Sequence, residues 1–167
     1  MLLATKTIFW LPLYLFLIYL IIKFKKWNAI YFLLGVALCI ALSDQITSGF
    51  MKPFFSRLRP SQEPSLEGLV HIVNNYKGGL YGFASGHAAN TFGVSMLVFL
   101  IFRGHYYWIS AIFLWAALMS YTRIYLGVHY PGDIIVGAII GLLCGWIGFL
   151  FANWLVNKFG KPKPSEL

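Results

Sequence analysis

The stretch "RIYLGVHYPGD", residues 123–133, places a guanidinium, an imidazole and a carboxylate between two apolar segments. His129 and Asp133 are four residues apart, so a helix or a tight turn would bring them to one face. A carboxylate bonded to one imidazole nitrogen selects the tautomer and leaves the other nitrogen free as a nucleophile or a base. A purely structural His–Asp pair is the alternative.

A second cluster, "KPFFSRLRP", covers residues 52–60. Lys52 and Arg59 are seven residues apart, so on a continuing helix both side chains would point the same way. Two such cations could hold an anion, whereas contact with lipid headgroups is the simpler explanation for basic residues beside a membrane.

A third cluster, "YGFASGHAANTFG", places Ser85, Gly86 and His87 just before an apolar helix. The free N–H groups at a helix N-terminus bind anions, and Gly86 allows the backbone to approach a ligand closely. Ser85 is either a hydroxyl donor or only the helix cap. His87 is either a proton donor or an imidazole at the membrane interface.

The composition indicates an integral membrane protein. Hydrophobic residues make up 59% of the 167 residues and charged residues 11%, with a mean hydropathy of +0.73. A soluble domain has about 25% charged residues. The net charge of +8 is explained by Lys and Arg in cytoplasmic loops, so we expect no nucleic-acid partner. Cys39 and Cys144 fall in apolar segments and are predicted to be packing residues.

Apolar segments predict an all-α, polytopic transmembrane bundle of about five helices. These segments cover residues of about 8–22, 28–50, 88–102, 106–124 and 134–157. Residues 1–157 would form a single transmembrane domain, with residues 51–87 as an extracytoplasmic loop and 158–167 as a cytoplasmic tail.

The loops alternate between two sides of the membrane, and one side receives seven cations: Lys23, Lys25, Lys26, Arg103, Lys158, Lys161 and Lys163. The positive-inside rule assigns that side to the cytoplasm. All three polar clusters then lie on the opposite face. Three cations, a helix N-terminus, a Ser hydroxyl and two imidazoles on one face are suited to hydrolysis of a phosphate ester.

The three clusters together resemble the phosphatidic acid phosphatase type 2 superfamily of membrane lipid phosphatases. Its motifs read K-x6-R-P, P-S-G-H and S-R-x5-H-x3-D, and this chain has "KPFFSRLRP", "ASGH" and "TRIYLGVHYPGD". All spacings match. Ala84 replaces a Pro and Thr122 replaces a Ser, both beside the chemical groups. The family usually has six transmembrane helices, so this chain is either a compact member or lacks an N-terminal segment.

The resemblance implies a role for each matching residue. His129 would be the nucleophile that forms a phosphohistidine, Asp133 would orient it, and His87 would be the general acid and then the base. The phosphate would be held by Lys52, Arg59, Arg123, Ser85 and the Gly86 amide. The resemblance implies no metal and no cofactor.

We therefore expect a metal-independent lipid phosphatase in a bacterial inner membrane, with its site facing the periplasm. Undecaprenyl diphosphate is the first candidate substrate, and lipid A phosphate, phosphatidylglycerophosphate and phosphatidate are alternatives. A non-catalytic anion-binding membrane protein is the alternative from another class. Outside the motifs, Asp44 is expected to pair with Lys52 or Arg59 or to cap a polar cavity, and Arg57 to contact lipid headgroups.

Overall fold

The computed structural model describes residues 5 and 7–161, and within that part of the chain all regular structure is helical. The α-helices are Leu11–Lys25 (α1), Ala29–Asp44 (α2), Lys52–Phe55 (α3), Gly86–Phe102 (α4), Ile112–Tyr125 (α5) and Pro131–Phe159 (α6). A π-helix covers Gln45–Met51, and 3-10 helices cover Thr7–Trp10, Lys26–Asn28, Pro60–Gln62, Pro64–Leu66, Val73–Asn75 and Tyr107–Ala111.

The five long helices α1, α2, α4, α5 and α6 correspond to the five predicted apolar segments, although their ends differ. The last helix continues to Phe159, which is two residues into the predicted tail. Residues 162–167 of that tail lie outside the described residues. The helical run Ile8–Phe55 and helix α6 are each long and apolar enough to cross a membrane, and α4 is a shorter apolar helix.

The run Ile8–Phe55 is not one straight helix, because Lys26 adopts a positive φ of 48° and ends α1. The chain reverses through the 3-10 turn that follows. Phe24 at the end of α1 packs on Phe102 at the end of α4. Asn28, just before α2, exchanges hydrogen bonds with the backbone of Lys161. One face of the bundle therefore carries the end of α1, the start of α2 and the ends of α4 and α6.

The second half of this run leads into the cationic cluster of residues 52–60. The α2 helix passes into the π-helix, which leads into α3, and Ser56 ends α3 in the left-handed conformation with φ 46° and ψ 27°. Lys52 and Arg59 do not lie on one continuing helix, since Arg59 lies in the loop beyond that end, so the alignment that such a helix would give does not apply. Single π-helical turns of this kind frequently occur at functional sites.

Small residues let α6 lie directly against the backbone of α4. A Cβ on Gly137 would lie 2.5 Å from the Ser85 carbonyl oxygen, and a Cβ on Gly141 would overlap the carbonyl of Ala89. Close backbone approach of this kind is typical of helix pairs in membranes, where packing rather than hydrophobic exclusion drives association. As a consequence, the N-termini of α4 and α6 lie side by side.

Candidate active site

The starts of α4 and α6 bring two of the predicted clusters together. The Ser85 N–H donates to the Asp133 carbonyl at 3.1 Å, which joins the two N-termini. The Ser85 hydroxyl is fully buried and caps α4 by accepting from the Ala88 N–H at 3.4 Å. His87 is the second residue of α4 and is exposed, and Gly86 is the first. The arrangement favours the capping interpretation of the Ser85 hydroxyl.

His129 and Asp133 form a buried pair in the turn that precedes α6 and in its first turn. His129 Nδ1 lies 3.2 Å from Asp133 Oδ2, which also accepts from the Tyr130 N–H at 2.9 Å. On its other side, His129 Nε2 lies 3.3 Å from Nη1 of Arg59. A guanidinium can only donate, so Nε2 is the acceptor and Nδ1 carries the hydrogen toward the carboxylate. This tautomer leaves the Nε2 lone pair on the side of the cations.

The surroundings of His129 keep its imidazole neutral. Burial lowers the pKa of His129 to about 2, helped by the charges of Arg59, Arg123, Lys52 and His87. Arg59 contacts this imidazole directly, and we refer to the two imidazoles and the three cations together as the cluster. A neutral imidazole is the form required of a nucleophile, and its Nε2 lone pair faces Arg59.

The three predicted cations approach this cluster from different elements. Arg59 is buried in the loop, and its Nε and Nη1 donate to the carbonyls of Tyr81 and Val128 at 3.1 and 3.2 Å. Arg123, at the end of α5, is only 3% exposed. Lys52, half-buried at the start of α3, donates to Ser48 Oγ at 2.8 Å. Burial and the charge of Arg123 lower the pKa of Arg59.

Arg57 corrects one expectation, because its side chain forms an ion pair with Asp133 Oδ1. Its guanidinium carbon lies 4.6 Å from the ring centroid of Phe83 and 5.0 Å from that of Tyr130. Arg57 therefore supports the carboxylate that contacts His129, whereas the sequence predicted contact with lipid headgroups. No spacing pattern could have identified this pairing.

Three other groups lie near the site. Asp44 accepts from Asn90 Nδ2 of α4 at 3.0 Å, so its hydrogen-bond partner is neither Lys52 nor Arg59, and the alternative that it caps a polar cavity stays a prediction. The Thr122 hydroxyl donates to the Met119 carbonyl within α5 at 2.6 Å, which agrees with the expectation that Thr122 lies beside the chemical groups. Tyr76, in the long loop, accepts a hydrogen bond from Arg123 Nη2 at 3.2 Å, and the sequence had not identified it.

An apolar cavity of about 510 Å³ begins beside His87. It extends between α1, α2, α4 and α5, and its lining includes His87, Asn90, Val94, Val98, Trp115 and Met119. From His87 to Val98 the cavity follows eleven residues of α4, roughly 16 Å at about 1.5 Å per residue. His87 therefore belongs both to the cluster and to the lining of the apolar cavity.

The cluster can hold a phosphate and exchange a proton with it, because guanidinium and ammonium groups neutralise phosphoryl oxygens and imidazoles supply the nucleophile and the acid. Residues suited to hold a metal ion are not grouped in the described part of the chain, where no three His, Cys, Asp or Glu side chains come together.

Comparison with known proteins gives the family. A profile of the PAP2 superfamily matches residues 28–157, and the chain belongs to this family. Over 163 residues, which are 96% of this chain and 72% of the relative, it is 41% identical to a lipid A 4'-phosphatase of Bacteroides thetaiotaomicron. A lipid A 4'-phosphatase of Porphyromonas gingivalis is 41% identical over 131 residues, which are 78% of this chain and 55% of that protein.

A solved structure agrees with this assignment. The crystal structure of Aquifex aeolicus LpxE superposes with a TM-score of 0.62 at 29% identity, covering 89% of this chain and 81% of that one. The family and these relatives identify the protein as a hydrolase that acts on lipid phosphates, which excludes the alternative of a non-catalytic anion-binding protein.

Proposed function

We propose that this protein removes the 4'-phosphate from lipid A at the outer face of a bacterial inner membrane. The observation that carries the proposal is the cluster of His129, His87 and three cations, in which His87 also lines an apolar cavity. A ligand with an anionic head and hydrocarbon chains matches both parts. Two relatives that are 41% identical are lipid A 4'-phosphatases, which favours lipid A over undecaprenyl diphosphate, the first candidate from the sequence.

In the proposed first step, Arg59 Nη1 turns its hydrogen from His129 Nε2 to a phosphoryl oxygen, and the freed Nε2 lone pair attacks phosphorus and forms a P–N bond. The bond from phosphorus to the sugar oxygen breaks, and His87 gives its proton to that oxygen. Lys52, Arg59 and Arg123 balance the charge on the other phosphoryl oxygens, together with the Gly86 amide at the start of α4. Asp133 holds the Nδ1 hydrogen of His129 as the ring becomes positively charged.

In the proposed second step, His87 takes a proton from water, and the water oxygen attacks phosphorus. The P–N bond then breaks, which releases inorganic phosphate and restores neutral His129. The same imidazole thus serves as acid and then as base, as reversibility of proton transfer requires. Ser85 positions this helix start, because its hydroxyl accepts from the Ala88 N–H, and that bond leaves its hydrogen available to a phosphoryl oxygen.

The proposed placement follows from the two faces of the bundle. All five long helices would cross the membrane within a single domain. The face with the ends of α1, α4 and α6 would lie in the cytoplasm, since it carries Lys25, Lys26, Arg103, Lys158 and Lys161. The active site on the other face would then meet lipids of the periplasmic leaflet.

The test of this function is phosphate release from pure lipids in detergent, with and without EDTA. The panel contains lipid A, undecaprenyl diphosphate, phosphatidylglycerophosphate and phosphatidate. We expect lipid A to lose one phosphate, with mass spectrometry locating the loss at the 4' position, and EDTA to have no effect. Turnover of another lipid with none of lipid A would reject the substrate, and no turnover of any lipid by folded protein would reject the function.

The role of the cavity is tested separately with Val94→Phe, which fills the space next to the α4 helix. We expect kcat/KM for lipid A to fall about tenfold or more, while hydrolysis of a short-chain phosphate ester stays near normal. Leu114→Phe is the matched control, because Leu114 is 68% exposed on the outside of α5. Equal loss on short and long substrates would show that the cavity does not hold the lipid chains.

A further inference from the structure

The long loop reaches the phosphate site through one aromatic side chain. Tyr76 Oη accepts a hydrogen bond from Arg123 Nη2 at 3.2 Å, and the Arg123 guanidinium lies 5.6 Å from the centre of its ring. Tyr76 therefore lies beside Arg123, one of the three cations of the site.

The backbone around Tyr76 is shaped to hold this position. Asn74 and Asn75 adopt positive φ values of 50° and 56°, a conformation that Asn tolerates better than most residues. Gly78, with φ 69°, lies so close to Arg59 that a Cβ there would be 3.1 Å from its Nη1 atom. The segment 74–78 consequently turns tightly over the guanidinium of Arg59.

This segment is fastened to the turn that carries His129. The Ser61 hydroxyl donates to the Lys77 carbonyl at 2.7 Å, and the Ser61 N–H donates to the Gly127 carbonyl at 2.9 Å. Gly127 has a φ of 66°, and a Cβ there would overlap Val70 of the same loop. The position of Tyr76 is thus coupled to the backbone next to the nucleophile, although the two are distant in sequence.

Two hydrogen-bond donors of Tyr76 and Arg123 are available to bind an anion. Among the described residues, the Tyr76 hydroxyl has one partner, Arg123, which uses one of its lone pairs, so its hydrogen remains available to an acceptor. The Nε atom of Arg123 is buried and has no hydrogen-bond partner in the same part of the chain. Both available donors lie at the cationic cluster, and a phosphoryl oxygen is an acceptor suited to them.

We propose that Tyr76 is a phosphate-binding residue of this site, whose hydroxyl is oriented by Arg123 and donates its hydrogen to an oxygen of the bound phosphoryl group. The proposal rests on the proposed function of the site as a phosphatase. Tyr76 is 38% exposed, so part of its side chain faces water, and it is not among the residues that line the cavity beside His87. It binds both the substrate phosphate and the product, inorganic phosphate.

Inhibition by inorganic phosphate is the direct measurement, because this probe carries no lipid chain or sugar. We expect Tyr76→Phe to raise the inhibition constant for phosphate and the KM for the lipid about tenfold, with a much smaller change in kcat. Tyr125→Phe is the control, since Tyr125 is an exposed tyrosine on the same face whose ring contacts His71 of the same loop. The control should bind phosphate like the unaltered protein.

The outcomes separate this proposal from the function itself. If the unaltered protein hydrolyses a lipid phosphate and Tyr76→Phe binds inorganic phosphate normally, the role of Tyr76 is refuted and the function stands. If no lipid is hydrolysed but phosphate, measured by calorimetry, binds less tightly to Tyr76→Phe, the role of Tyr76 stands without the function. A fall in kcat alone, or an equal fall in thermal stability and activity, would indicate a structural role and refute the proposal.

Discussion

Replacing Arg57 with Gln removes the cation that pairs with Asp133 Oδ1, and we expect kcat to fall about tenfold. Asp133 is fully buried, and its other oxygen keeps the bonds to His129 and the Tyr130 N–H. A hydrogen bond to a charged group contributes about 1.5–3 kcal/mol, and Arg57 is 43% exposed, so the lower end applies. Since 1.36 kcal/mol corresponds to a factor of ten in rate, about 1.5 kcal/mol gives the expected loss.

The assay measures kcat and KM on lipid phosphate for Arg57→Gln, Arg57→Lys and Lys77→Gln. Lys77→Gln is the matched control, because it removes an exposed cation from the same face of the protein. Arg57→Lys keeps the charge but not the planar group between two aromatic rings, so we expect partial activity. If Arg57→Gln kept its kcat and shared a raised KM with Lys77→Gln, attraction of anionic headgroups would explain Arg57, and the positioning of Asp133 would be refuted.

Two further perturbations test the acid and the helix packing. In single-turnover experiments, His87→Gln should slow cleavage of a lipid phosphate by about 10²–10⁴-fold. It should slow cleavage of a phenyl phosphate ester far less, because a phenolate leaving group needs no proton. Equal slowing of both substrates would show that His87 is not the acid. Gly141→Val should lower the thermal midpoint in detergent, because overpacking against Ala89 costs about 1–3 kcal/mol of unfolding free energy. Gly104→Val is the control, because no atom lies within 4 Å of its added Cβ. Similar midpoints for both variants would contradict the close packing of α4 on α6.

Spacing within one element predicted the parts of the site that are local. His129 and Asp133 are four residues apart and do pair, because the turn and the first turn of α6 bring them to one side. The spacing of Lys52 and Arg59 did not predict how these two cations come together, because α3 ends at Ser56 and Arg59 is held in place by loop contacts.

Contacts between distant segments could not be predicted in the same way. Arg57 and Tyr76 carry no periodic signal, and each acquires its partner only when a loop is folded over the start of α6 or the end of α5. The hydrogen bond between Asp44 and Asn90 could not be predicted either, because the two residues belong to different helices. The distance between side chains on different helices depends on how closely those helices approach, and glycines such as Gly141 set that approach.

The sequence by itself determined the class of protein and its chemistry. Hydrophobic segments long enough for a bilayer require helices, since every backbone polar group in lipid must be bonded internally. The three motifs supplied the cationic and imidazole groups of the candidate site. Only the tertiary structure decided which tautomer His129 adopts, which cations surround it and where an apolar cavity meets His87. These properties depend on distances between elements far apart in the chain, which a linear pattern does not contain.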